Sequence, residues 1–171
     1  MVLQLQKEKQ ELKEERDSIV DLNNRVVVLE RSQYLYEQYG RRESIEITGI
    51  PTSVGQDALE DEVIKIYDEA KIEVFGRQLQ ESDISACHRI GKKGVTIVRF
   101  VNRKVAYAGL FNARNLLNSE LYQNRIYINN SFCREFSKYG FYIRRLKATG
   151  RIAGYRVKNG VYHVKVDKYH S

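Results

Sequence analysis

Ten of the forty residues from 132 to 171 are Lys or Arg and two are Asp or Glu, while from 84 to 131 eight bases stand against one acid. A guanidinium or ammonium group binds the oxygens of a phosphate or carboxylate, whatever else the partner carries. These bases are segregated. Residues 43–83 hold eleven acids and three bases, and residues 1–40 hold eight and six, so the net charge of +7 is a basic surface set against an acidic one. Such a surface is expected of a protein that presents one face to a polyanion; the alternative is a solvated basic face with no partner. Catalytic residues show no comparable concentration. There is no G-x-S-x-G, no phosphate-cradling glycine loop and no His with a carboxylate at ligand spacing. Cys87 and Cys133 are isolated and the histidines are His88, His163 and His170, so no disulfide scaffold and no zinc site is suggested. The expectation is a protein that is not an enzyme and has no cofactor, no metal and no small-molecule substrate. No apolar run approaches the roughly 20 residues of a membrane span and the first residues are not signal-like, so an intracellular protein without membrane contact is expected.

The elements that must carry these charges change character along the chain. Leu5, Leu12, Ile19 and Val26 recur every seven residues, with Leu22, Leu29 and Tyr36 at the companion positions, which predicts a coiled-coil helix over 1–40. Glu8 and Glu15 weaken the seam at its start, as though it began partway along a longer rod. Within "RVVVLE", Arg25 and Glu30 flank Val26 and Leu29 in an R-h-x-x-h-E pattern that resembles the motif of trimeric coiled coils; a dimeric or antiparallel helix with an incidental ion pair is the alternative. Ile19, Leu22, Arg25, Val26, Leu29 and Glu30 are therefore the candidate trimerisation residues.

From Arg41 onward strands and helices alternate. "IEITGIP" (45–51), "DISACHRIG" (83–91), "GVTIVRFV" (94–101) and "RIYINN" (125–130) read as strands. "DALEDEVIKIYDEA" (57–70) and "RKVAYAGLFNARNLLN" (103–118) read as helices, the first with Leu59, Val63, Ile66 and Ala70 on one face. The order is the split βαβ arrangement, βαββαβ. "KKGVTIVRF" also resembles the second signature of an RNA recognition motif, with Val95 and Ile97 where that signature has its stacking rings and Glu46 in place of a ring in the other signature. Alternation would put Ile45, Ile47, Val98 and Phe100 on the helices, leaving Glu46, Thr48, Val95, Ile97, Arg99, Arg125 and Tyr127 on the open face, where Tyr127 is the one ring. Binding would then rest on backbone charge; a ferredoxin-like domain with no RNA role is the alternative.

In the last segment, Asn130 and Ser131 are candidate N-caps for a helix with Phe132, Phe136, Tyr139, Ile143 and Leu146 on one face and Arg134, Lys138 and Arg145 opposite. Asn159-Gly160 then predicts a hairpin pairing Val157 with Tyr162 and Tyr155 with Val164. This unit is too small to stand alone and is expected to dock on the preceding domain as a clamp, its basic helix closing over nucleic acid laid against residues 89–104. The expected fold is α+β: a coiled coil over 1–40, a ferredoxin-like βαββαβ RNA recognition motif of atypical signature over 41–131, and a basic helix-plus-hairpin domain over 132–171.

The trimer pattern, "LYEQYGRRESIEITGIP", "ISACHRIG" leading into "GVTIVRFVNRK", and "RIYINNSF" before a basic helix together resemble the ORF1 proteins of LINE-type non-LTR retrotransposons. That resemblance implies a homotrimer that coats its own transcript in cytoplasmic ribonucleoprotein particles, with nuclear access as a further expectation, and acts as a nucleic-acid chaperone. The partner is single-stranded RNA, with single-stranded DNA as a second candidate. It also implies contacts at Arg41, Arg42, Arg89, Arg103 and Lys104, and along the helix from Arg134 through Lys138 and Arg144 to Arg145. Lys92, Lys93, Arg99, Arg114, Tyr127, Tyr142, Arg151 and Arg156 complete the candidate set. A coiled-coil adaptor that binds proteins through a ferredoxin-like domain is the competing expectation.

Overall fold

A computed structural model describes residues 2–91, 94–120, 125–158 and 161–166. Two compact units are present, Met1–Glu37 and Gln38–Ser171. The first lies within a single helix, α1 (Val2–Gly40), rich in Leu, Glu, Lys, Arg and Gln and free of Gly and Pro until its last residue. Its seam is unburied: Ile19, Leu22, Val26 and Leu29 are 49–68% exposed. None of the described helices is long and apolar enough to cross a membrane.

The second unit is α+β. A 3-10 turn (Arg41–Glu43) leads into β1 (Ser44–Thr48), α2 (Leu59–Glu69), β2 (Ile84–Ile90), β3 (Val95–Phe100), α3 (Arg103–Asn112), β4 (Tyr127–Asn130), α4 (Arg134–Ala148), β5 (Gly154–Lys158) and β6 (Val161–Lys165). The four-stranded sheet has the order β2-β3-β1-β4 with every neighbouring pair antiparallel, and β5 with β6 forms a separate hairpin. Alternation decides the faces. Ile45, Ile47, Val98 and Phe100 are fully buried against Leu59, Val63, Ile66, Tyr67 and Ala70 of α2 and its C-cap and against Val105 and Ala106 of α3. Each such aliphatic side chain stabilises the fold by about 1.5–3 kcal/mol. Glu46, Thr48, Val95 and Ile97 are half-buried on the opposite face, and Arg99 and Tyr127 are exposed there.

Several boundaries differ from the sequence expectation. β1 ends at Thr48 and not at Pro51, and β4 starts at Tyr127 because Arg125 adopts the left-handed φ of 61°. α3 gives way after Asn112 to a 3-10 segment, Ala113–Asn118. The N-cap of α4 is Cys133 and not Asn130 or Ser131: Asn130 is paired in β4, and Ser131 lies between strand and helix. The hairpin register is the expected one, with Tyr155 opposite Val164 and Val157 opposite Tyr162; its Asn159-Gly160 turn lies outside the described residues.

α3 is seated by a close approach. The Tyr67 hydroxyl donates to the Val105 carbonyl at 3.3 Å, and a Cβ at Gly109 would overlap that hydroxyl and its ring carbon. Contact with Tyr67 therefore selects which flank of α3 faces inward. Gly109→Ala is expected to lower stability by about 1–3 kcal/mol, although alanine has the better helix propensity. In a Tyr67→Leu background the same change should cost measurably less in urea unfolding. Equal costs in both backgrounds would contradict this seating.

Candidate nucleic-acid interface

With Val105, Ala106 and Gly109 turned inward, the positions Arg103, Lys104, Tyr107, Phe111 and Arg114 form the outer flank of α3 and its 3-10 extension, and half-buried Leu110 lies at its margin against the core. That flank is one wall of an open groove of about 810 Å³ that runs along β4, the edge strand of the sheet. Gln38, Arg41 and Arg42 form a second wall. Ser44 and Glu46 of β1, with residues 128–131, make the floor, and Phe132, Tyr155, Val157 and Tyr162 close the far side. Among the described residues, five cationic side chains and one carboxylate line this groove.

Local chemistry holds each wall. Gln38 is buried; its Nε2 donates to the Ser131 carbonyl at 3.2 Å and its Oε1 accepts from the Cys133 N–H at 3.0 Å. The Arg42 guanidinium lies 3.4 Å from the Tyr39 ring centroid while its Nε donates to the Tyr39 carbonyl, which fixes a cation beside the groove. On the far side, Tyr162 stands between Phe132 and Tyr155, with ring centroids at 5.2 and 6.1 Å. A Cβ at Gly140 would overlap the Tyr162 hydroxyl, so α4 meets the hairpin at a residue without a side chain. The expected helix face is corrected at Tyr139, which is 52% exposed; Phe136 is buried with Gly140, and Phe132, Ile143 and Leu146 are half-buried.

Charge placement in the helices is uneven. The first turn of α2 holds Glu60, Asp61 and Glu62, the acids that the positive end of a helix favours. α3 has no acid in its first turn and begins with Arg103 and Lys104, its N-cap Asn102 accepting from the Lys104 N–H at 2.9 Å. Two cations at a helix N-terminus cost about 0.3–1 kcal/mol each, and an anion laid across them would reverse the sign.

The structure gathers Arg41, Arg42, Arg103, Lys104 and Arg114 in the groove and leaves other expected contacts elsewhere. Arg89 is the clearest correction. Parity puts it on the same side as its partner Thr96 and as Ile47, toward the helices. Its guanidinium donates to the carbonyls of Ile50, Pro51, Val54 and Gly94 at 3.0–3.4 Å. An arginine engaged with four carbonyls holds the loop after β1 and has few donors left for phosphate. Arg99 lies on the open sheet face 3.6 Å from Glu43, and Tyr127 lies on that face too. Arg134, Lys138, Tyr142, Arg144 and Arg145 are exposed on α4 but do not line the groove, and Lys138 is paired with Glu135 at 2.7 Å. The basic face of α4 thus lies outside this groove, which is lined instead by Phe132 and the hairpin residues Tyr155, Val157 and Tyr162. Arg151 and Arg156 are exposed outside the groove, and Lys92 and Lys93 lie outside the described residues.

Sequence reasoning missed Tyr107 and Phe111. Their spacing of four on the flank opposite Val105, Ala106 and Gly109 was the available signal. Elsewhere, burial and then the Glu60 charge push the Cys87 thiol up to about 11 against the pull of Arg89, so it is protonated at neutral pH. Among the described residues no cluster of three or more His, Cys, Asp or Glu could hold a metal ion. No family model matches the chain, and no curated protein is detectably similar to it.

Glu46 on the groove floor is the titratable group to watch. Burial raises its carboxyl above the ordinary value, opposed by the Ser131 hydroxyl, by the charge of Arg41 and by the Phe132 N–H. Between the ordinary and the raised value the folded state holds more protons than the unfolded one, so stability grows as pH falls through that window. Glu46→Gln is expected to stabilise the protein near neutral pH, with the gain closing as pH falls toward about 4.5. Urea unfolding at the two pH values checks this, and a gain independent of pH would contradict it.

Proposed function

We propose that this chain is a single-stranded nucleic-acid-binding protein of the LINE ORF1 type, a homotrimer that coats RNA and acts as its chaperone. In this reading residues 41–131 form a divergent RNA recognition motif, residues 132–171 a small companion domain, and the groove along β4 takes the phosphate backbone. The observation that carries it is the α3 wall: Arg103 and Lys104 stand where a helix favours acids, and with Arg41, Arg42 and Arg114 they line one open groove. The sheet supports the same division of labour. Val95, Ile97 and Glu46 stand at the positions of the usual stacking rings, so the sheet face is poor in stacking and phosphate contacts dominate. The strand order β2-β3-β1-β4 is compatible with the split βαβ arrangement.

The exposed seam of α1 supports assembly. Ile19, Leu22, Val26 and Leu29 find no cover within their own helix, and Arg25 and Glu30 flank them at the positions of the trimer pattern. Three weakly binding modules on one coiled coil raise each other's effective concentration, giving a complex that holds RNA while single contacts exchange. Light scattering is expected to give three times the 20.0 kDa chain mass, and Val26→Asp with Leu29→Asp is expected to give monomers. A stable dimer would refute the trimer.

Filter binding of RNA and single-stranded DNA at two salt concentrations tests the groove. Arg103→Glu, Lys104→Glu and Arg114→Glu together should weaken binding to unrelated sequences about equally and flatten the salt dependence by roughly one unit of slope per lost contact. Arg89→Ala should instead lower stability. A folded triple variant with unchanged affinity and slope would leave the coiled-coil adaptor as the better reading.

A further inference from the structure

We propose that Tyr107 and Phe111 of α3 are the platform on which unpaired nucleobases stack, a role for which the open sheet face offers, among the described residues, the single ring of Tyr127. The proposal rests on the nucleic-acid reading above and adds to it the part of the ligand recognised and the residues that recognise it.

Both rings are far out in solvent, Tyr107 at 63% and Phe111 at 69% exposed, on the flank of α3 turned away from the core. Their centroids are 6.2 Å apart and their planes differ by 20°, so the groove wall presents two neighbouring aromatic faces of nearly the same tilt. A pair spaced by four on a helix stabilises it by only about 0.2–0.5 kcal/mol, and exposed aromatic area is otherwise a liability. Charge decides what could use it. Arg103 and Lys104 precede the pair by one turn and Arg114 follows it by one, so any occupant of the rings meets three cations along the same flank. An apolar peptide would gain nothing from that frame. A single strand supplies both halves, since its bases have π-faces and its phosphates one negative charge per nucleotide. Because every base can stack, such a platform binds without reading sequence.

The test compares oligo(dT) with an abasic backbone of equal length and charge, bound to the full chain at two salt concentrations. Wild type is expected to prefer oligo(dT) by at least about tenfold. Tyr107→Ala with Phe111→Ala, and Tyr107→Leu with Phe111→Leu, should abolish that preference and leave the salt slope intact. Tyr107→Phe with Phe111→Tyr should keep it. Equal binding of the two oligomers by wild type, or a preference that survives the Ala or Leu pair, would overturn the platform while leaving the phosphate groove standing. Absence of any salt-dependent binding by wild type would overturn the nucleic-acid reading and the platform with it.

Discussion

The side-chain amide of Gln38 is buried where the end of α1, the end of β4 and the start of α4 meet, and it is satisfied from both sides by Ser131 and Cys133. Ser131 in turn donates to Glu46 at 3.3 Å, which ties β1 into the same knot. A buried amide left unpaired costs about 1–3 kcal/mol, so these contacts form together or the junction opens. Three walls depend on that junction. Arg41 and Arg42 follow Gln38 after Tyr39 and Gly40, residues 128–131 form the floor, and Phe132 begins the aromatic far side through its contact with Tyr162. The Cys133 N–H is taken by Gln38, which holds the N-cap residue of α4 in place, and Cys133 itself makes no side-chain cap bond.

Charge is sorted by this geometry as well as by sequence. The acids of α2 sit at the helix end that favours them, and Asp83 is held by Arg77 in two bonds of 2.7 and 2.8 Å that lower its carboxyl. Arg103 and Lys104, by contrast, open α3 with no acid in its first turn. Glu46 is the exception on the floor, and its raised carboxyl reflects burial more than attraction to the neighbouring cations. In the proposed reading, a phosphate entering the groove meets the cations of Arg41, Arg42, Arg103, Lys104 and Arg114 and the carboxyl of Glu46.

Much of the fold was legible because period and turn chemistry are local. The alternation in Ser44–Thr48 and Val95–Phe100 placed the core side of the sheet, and the register of β5 with β6 followed from the position of Asn159-Gly160. The groove was less legible because it depends on contacts distant in sequence. Arg89 looks like any other arginine until the loop carbonyls of residues 50, 51 and 54 are folded back onto it. On α4 the apolar stripe suggested Tyr139 as packed, but the incoming Tyr162 takes the space over Gly140. The rings of α3 were hidden for a similar reason: Gly109 against Tyr67 decides which flank is buried.

Photo-crosslinking of a 4-thiouridine-substituted single strand to the intact protein, followed by mass spectrometry of the crosslinked peptides, tests the placement of the nucleic acid most directly. Crosslinks are expected within residues 103–114 and 38–44, with a smaller set at Tyr155 and Tyr162. Crosslinks confined to the exposed face of α4, or to Ile97 and Tyr127 on the open sheet, would contradict a groove along β4.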